Sequence, residues 1–503
     1  MLFGPNLSDI EKEIENADSY QAFYEASLYH DEVSGANAWK EEDDSSAYDY
    51  QMIRKRVERI KAARASRDAP ALMSILHEGI HGNLGNIANP LLNKKAKIGT
   101  KKLIQEFLDE VCAALDFIYN ADENEVDFYE KLSFFDETNH SYGQSCLMLS
   151  GGAGLGFFHA GVVKTLLAHD LIPKVVSGAS AGSIIAALIG TRPKDELADL
   201  LTAENIYEHF RGWSRFKGVR QDSFFDSTRL ENALIELFDL TTFDEAYEKT
   251  GISMTITVSP ADLHQHSRLL NHKTSPNAII TQAVRASCAI PYVFSPVYLK
   301  AKNQQGDVIP YIPNRQFADG SLMADLPFER LARLFGVNHS IVSQINPLAA
   351  PFIAGGKHKT DSIKELTIRH ATTLAKKNSV YFFDVLESLS KNDALRRGIH
   401  KVRSIIEQQY VGDINILPKR KLTDYRHVFA NPSLDSLTKL IKSAEKACWP
   451  HIDMIRRNTQ ISKTFRKHLK DLKKRESLLL SHNTHPYREM NREASNDAAS
   501  GQV

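Results

Sequence analysis

The chain has 503 residues, 42% hydrophobic and 25% charged, a globular composition too long for one ordinary core and read as two or three structural regions. Lysine plus arginine equal aspartate plus glutamate at 62 each, so overall charge points to no class of partner, and no nucleic acid is expected. The four cysteines, Cys112, Cys146, Cys288 and Cys448, have no metal-type or redox-type spacing and imply no disulfide framework.

The opening, MLFGPNLSDIEKEIENADSY, has neither the basic end nor the apolar run of a signal peptide. No window approaches the ~18 apolar residues of a membrane-spanning helix. The expectation is a cytoplasmic protein whose membrane association, if any, is peripheral. Residues 1–50 hold thirteen acidic side chains against Lys12 and Lys40. Ser8 and Glu11 stand at capping-box spacing before a helical, acidic run. A basic helical stretch follows at 50–67, ended by Pro70. Residues 71–82 put Leu72, Ile75, Leu76 and Ile80 on one face, and 99–119 do the same with Leu103, Phe107, Leu108, Val111 and Leu115. Residues 1–140 therefore read as a helical N-terminal domain.

From Ser145 short apolar runs alternate with helical ones: CLMLS at 146–150, KVVSGA at 174–179, ISMTITV at 252–258 and SIVSQI at 340–345. This alternation predicts an α/β domain over 145–345 with a mainly parallel sheet. Residues 346–503 read as a helical, basic C-terminal region with a disordered polar tail from Ser481. Within it, 456–475 carries nine Lys or Arg against Asp471, with Ile461, Phe465, His468 or Leu469, and Leu472 on one stripe. Two readings stay open: a helix lying on an anionic membrane or lipid-droplet surface, or one packed along the protein body. The acidic N-terminus is a further docking partner for it.

Three segments carry chemistry together. In LMLSGGAGLGFFHAGVVKTLL, residues 147–167, a strand runs through Gly151, Gly152, Gly154 and Gly156 into a helix. Such a loop can cradle a phosphate, form an oxyanion hole, or serve only as a tight turn. VVSGASAGSIIAALIG, residues 175–190, sets Gly178-Ala179-Ser180-Ala181-Gly182 between a β-branched strand and an apolar helix. That is G-x-S-x-G in the context that exposes a nucleophilic serine on a sharp turn, with the Ala181 N–H beside it. RQFADGSLMADLP, residues 315–327, places Asp319 before Gly320 and Ser321 in a turn that can present a carboxylate.

Glycine loop, G-x-S-x-G and D-G-G/A in this order resemble the patatin-like phospholipase family. The resemblance implies a three-layer α/β/α fold with a mainly parallel central sheet, flanked by helical N- and C-terminal regions. It implies Ser180 as nucleophile and Asp319 as proton acceptor, without a histidine, and Gly151, Gly152 and Ala153 as oxyanion donors. No cofactor or metal is implied. Residues 77–111 are similar to the N-terminal domain of the branch of patatin-type triacylglycerol lipases from yeast lipid droplets and seed oil bodies. In that branch His77 and His81 carry no ligand role. Two departures stand out. Ala153 replaces the third glycine and can offer its N–H if φ there is negative, and Leu155 replaces a basic residue and would make the site mouth apolar. The D-G-G/A motif itself ends in Ser321.

The expected chemistry is ester hydrolysis through an acyl-enzyme on Ser180, with Asp319 desolvated so that its basicity rises above the usual aspartate value. A lipid ester is the expected substrate, triacylglycerol ahead of diacylglycerol or phospholipid. The alternatives weighed are phospholipase or acyltransferase chemistry on the same dyad, a lipid-binding scaffold without turnover, and a nucleotide site in the glycine loop. Histidine catalysis would draw on His159, His264, His266 or His272. No dinucleotide or P-loop frame fits the loop, and none of the nineteen histidines has an aspartate five positions on.

Overall fold

The computed structural model describes residues 6–211, 227–262, 266–290, 293–321, 325–346, 411–419 and 432–481 in full, and the backbone alone at 215–216, 225–226 and 482–500. The chain divides into two compact units, Met1–Gln144 with Arg456–Val503, and Ser145–Ile455.

The first unit is helical. Its first helix, Leu7–Asn16, is capped by the Asn6 side chain on the Ser8 N–H at 3.1 Å, so it begins ahead of the Ser8–Glu11 box. The basic helix Tyr50–Ala65 stops before Pro70, which instead sits in the first turn of Ala69–His77, where a missing N–H costs nothing. In Lys102–Asn120 the apolar residues from Leu103 to Ile118 recur at helical spacing and are buried. They share a core with Ile53, Val57, Ile60 and Phe135.

Ile461, Phe465, Leu469 and Leu472 of the helix Ile452–Ser500 belong to that same core. Phe465 meets Phe135 edge to face at 6.0 Å, and His468 stacks on Tyr119 while its Nε2 bonds Asp116 at 2.7 Å. The apolar stripe of 456–475 is thus covered by protein and is not open to a membrane. Lys467, Lys470, Lys473 and Lys474 remain on the outside. Ion-pair partners of this helix include Asp116, Glu123 and Asp136, which lie beyond the acidic first 50 residues expected to dock there. The helix runs to Ser500 and takes in most of the polar run read as a tail; side chains beyond Ser481, and residues 501–503, lie outside the described residues. Among the described residues no helix is long and apolar enough to cross a membrane.

The second unit is built on an eight-stranded sheet: β1 (Gln144–Leu149), β2 (Val175–Ala179), β3 (Ser253–Pro260), β4 (Arg268–Leu270), β5 (Val297–Tyr298), β6 (Gln316–Asp319), β7 (Val337–Ser343) and β8 (Ile414–Ile416). Their order is β8-β7-β1-β2-β3-β6-β5, with β4 also on β3. The pairs β1–β2, β2–β3 and β7–β8 are parallel, whereas β6 runs antiparallel to β3 and β5. The β2–β3 register sets Val176 beside Met254 on one face and leaves Val175 on the other. The helix Ala181–Thr191 covers the first face, Gly190 lying against Met254. The helix Phe328–Phe335 covers the second through Leu331 and Phe335, against Cys146, Met148 and Val175. Three layers result, helix on sheet on helix.

Register also brings the chemistry together. Leu149 pairs with Gly178, Ala179 with Thr257, and Val258 with Asp319. The glycine loop and Ser180 therefore leave the carboxyl ends of neighbouring strands, with Asp319 beside them.

If the 456–475 stripe is core, Phe465→Ala should destabilise the first unit by about 3–5 kcal/mol. Thermal and urea unfolding measure this directly. An unchanged midpoint would place the stripe on the surface.

Candidate active site

Ser180 sits between β2 and the helix Ala181–Thr191 at φ 49° and ψ −126°, a left-handed conformation costly to any residue with a Cβ. The turn is that tight because its flanks nearly touch: a Cβ on Gly178 would lie 2.4 Å from the Gly182 carbonyl oxygen, and one on Gly182 2.2 Å from that of Leu149. Hydrogen bonds hold the strained residue. Its N–H donates to Ser287 Oγ at 2.9 Å, which donates to the Thr257 carbonyl at 2.7 Å. Its own carbonyl accepts Ser183 Oγ at 2.6 Å and the Cys288 thiol at 3.4 Å. That thiol is buried and pushed up to about 12, so it stays protonated.

Asp319 ends β6 and is buried at 2% exposure. Its Oδ1 accepts the Ser321 N–H at 2.8 Å, whereas its buried Oδ2 has no hydrogen-bond partner among the described residues. Burial pushes the carboxyl up to about 6, against the opposing pull of the Ser180 hydroxyl and Ser321. Gly320 lies over the Thr257 backbone. The Ser180 hydroxyl and a desolvated carboxyl thus lie together, an arrangement that suits general-base chemistry.

Above them runs the glycine loop. Gly151 lies within about a side-chain contact of Ser180 and Ser321, and Gly156 rests on the Ala181 methyl. The Gly151 N–H, expected on the oxyanion, is instead donated to Asp325 Oδ1 at 2.7 Å. Ala153 has φ 47°, not the negative value its amide was expected to need, so a residue with a Cβ occupies glycine's conformation. Leu155 is buried and does not line the pocket. Ala181 opens its helix, where the first N–H groups have no intrahelical partner and the dipole favours negative charge.

Ser180 lines an apolar pocket walled by Phe157, Ile184, Phe210, Leu230, Ile290 and Phe294. Among the described residues no charged side chain lines it. The apolar character assigned to Leu155 therefore comes from these side chains.

Among the described residues no histidine acts on Asp319. The groups acting on Asp319 are Ser180 and Ser321. His159 is fully buried, its Nε2 on the Ser150 carbonyl at 2.9 Å and its Nδ1 on Ser343 Oγ at 2.7 Å, and burial lowers it to about 4. His272 stacks on Tyr247 at 3.9 Å, His266 is exposed, and His264 lies outside the described residues. His77 bonds Thr138 and His81 accepts the Asn83 N–H, and among the described residues no cluster of three His, Cys, Asp or Glu is placed to hold a metal ion.

Sequence reasoning missed Asp325. It is buried at 2% exposure and accepts Asn346 Nδ2 at 2.9 Å on its second oxygen. Burial and the nearby Asp319 push it up to about 7. The only signal was a second acid six residues after Asp319 in an apolar stretch, a spacing with no rule attached.

Residues 147–332 match the family model described as patatin-like phospholipase, and residues 6–140 match one described as a domain of unknown function (DUF3336). The chain is 34% identical to triacylglycerol lipase 4 of Saccharomyces cerevisiae over 471 residues, 88% of this chain and 50% of that protein. It is 32% identical to triacylglycerol lipase SDP1L of Arabidopsis thaliana, over 83% of this chain and 53% of that one. With triacylglycerol lipase ptl2 of Schizosaccharomyces pombe it shares 30% identity over 91% of this chain and 75% of that one. The chain spans about half the length of the first two.

Asp319 has a folded pKa of about 6, above the ordinary 3.8. The neutral form is the one the fold favours, so its contribution is complete below the unfolded pKa and is lost as pH rises through about 6. Asp319→Asn, neutral throughout, should therefore exceed wild type at pH 8 by roughly 2–3 kcal/mol, the gap closing below about pH 4. Equal melting temperatures at both pH values would show that Asp319 is not held in a desolvated site.

Proposed function

This chain belongs to the patatin-like phospholipase family, and we propose that it is a serine lipid acyl hydrolase cleaving acylglycerol esters through a Ser180–Asp319 dyad. The observation that carries this reading is the strained, buried serine beside a desolvated carboxyl, at an apolar pocket. Asp319 takes the hydroxyl proton as Ser180 Oγ bonds to the ester carbonyl carbon. The C–O bond to the alcohol breaks, and the alcohol leaves with that proton. Water then repeats the sequence on the acyl-enzyme and releases the fatty acid. With a carboxyl near 6, the base is ionised at neutral pH yet more basic than a solvated aspartate. Oxyanion donors are the N–H groups of Gly152, Ala153 and Ala181, each worth about 3–4 kcal/mol to the transition state in comparable sites.

The pocket takes the acyl chain, each buried methylene contributing about 0.8 kcal/mol. The lining next to the serine, uncharged among the described residues, suits a neutral glyceride. Three relatives named triacylglycerol lipase support triacylglycerol as the first substrate.

Purified wild type, Ser180→Ala and Asp319→Asn should be assayed on a p-nitrophenyl ester, emulsified triacylglycerol and phospholipid vesicles. Both variants should fold and lose ~10⁴-fold or more in kcat. Wild-type kcat/KM should rise with pH through about 6, as Asp319 ionises. Preference for vesicles over emulsion would reassign the substrate to phospholipid. Wild type inactive on every ester would leave lipid binding without turnover as the function.

A further inference from the structure

The Ser150–Gly151 peptide is clamped at both ends by buried titratable side chains. His159 Nε2 meets the Ser150 carbonyl at 2.9 Å, and Asp325 Oδ1 accepts the Gly151 N–H at 2.7 Å. A carbonyl can only accept, so Nε2 carries the proton and Nδ1 accepts from Ser343 Oγ, 2.7 Å away. In a trans peptide the C=O and N–H point in opposite directions, so two such clamps define the orientation of the plane. The next peptide is held as well. The Gly151 carbonyl accepts Ser150 Oγ at 3.2 Å, which turns the Gly152 N–H the other way, and Ser150 Oγ itself accepts the Ile345 N–H at 2.8 Å.

Asp325 ties three segments together. It follows β6, bonds the loop after β1 through Gly151, and bonds the segment after β7 through Asn346 Nδ2 at 2.9 Å. It does not line the pocket. Placing a second carboxylate near buried Asp319 is unfavourable for stability, since a neutral side chain would avoid both desolvation and repulsion.

We propose that Asp325 is a positioning residue for the oxyanion loop: by holding the Gly151 N–H it sets the peptide planes from which Gly152 and Ala153 offer their donors to the carbonyl on Ser180. This rests on the hydrolase reading. Gly151, on this account, is the hinge of the loop and not one of its donors.

The test uses the full chain with a p-nitrophenyl ester, comparing wild type with Asp325→Ala, Asp325→Asn and Asn346→Ala, folding being checked by circular dichroism. Asp325→Ala should lose ~10²-fold in kcat with KM within about twofold, as expected for misplaced donors. Asp325→Asn keeps an oxygen that can accept the same N–H and should recover most of the loss. Asn346→Ala removes its bond to Oδ2, leaves the Gly151 bond to Oδ1, and should cost roughly three- to tenfold in kcat, again at constant KM. A merely structural residue would move melting temperature without this split or this rescue. Folded Asp325→Ala with wild-type kcat, or a loss confined to KM, overturns the proposal. Should Asp325→Ala not fold, Asn346→Ala decides: a kcat loss at constant KM supports it and a wild-type kcat overturns it. An inactive wild type overturns the hydrolase reading and this inference with it, whereas an active wild type with unaffected variants overturns this inference alone.

Discussion

Withholding water from Asp319 is the constraint on which the rest of the site depends. A solvated aspartate holds its proton too weakly to draw one from a serine hydroxyl. At the end of β6 the carboxyl has one backbone donor, on Oδ1, and an Oδ2 with none among the described residues, and burial lifts it to about 6. The sheet supplies that environment through register. Asp319 lies beside Val258, and Thr257 beside Ala179, so the carboxyl and the serine flank the end of one central strand. The described lining of the pocket beside them is apolar.

Strain at Ser180 is tolerated for the same reason. A left-handed serine is unfavourable by about 1–3 kcal/mol. Bonds from Ser180 N–H through Ser287 to Thr257, and from Ser183 to the Ser180 carbonyl, offset it at about 1 kcal/mol each. Beneath the glycine loop, His159 and Asp325 grip opposite ends of one peptide. The candidate site thus rests on backbone held by buried side chains that do not line the pocket.

The helical unit carries a different lesson about amphipathic sequences. The stripe Ile461, Phe465, Leu469 and Leu472 has the periodicity and basic flanks of a membrane-surface helix, yet it closes the core around Phe107 and Phe135. Periodicity states that a face must be covered and is silent about the cover. His468 belongs to the same interface, stacked on Tyr119 and bonded to Asp116.

Helical stripes, alternating strands and the Ser180 turn were legible in the sequence, because spacing of apolar residues and the glycines around a turn act over a few neighbours in the chain. Asp319 was legible only through its company with Ser180. Tertiary structure alone decided that the Gly151 N–H goes to Asp325, that Leu155 turns inward, that Ala153 is left-handed, and that His159 is a buried brace. Each depends on which strand ends meet across the sheet, with partners up to 184 residues apart for His159 and Ser343. Local sequence sets what a residue can do. Its neighbours in space, brought by strand register, set the hydrogen bonds and the burial that determine what it does.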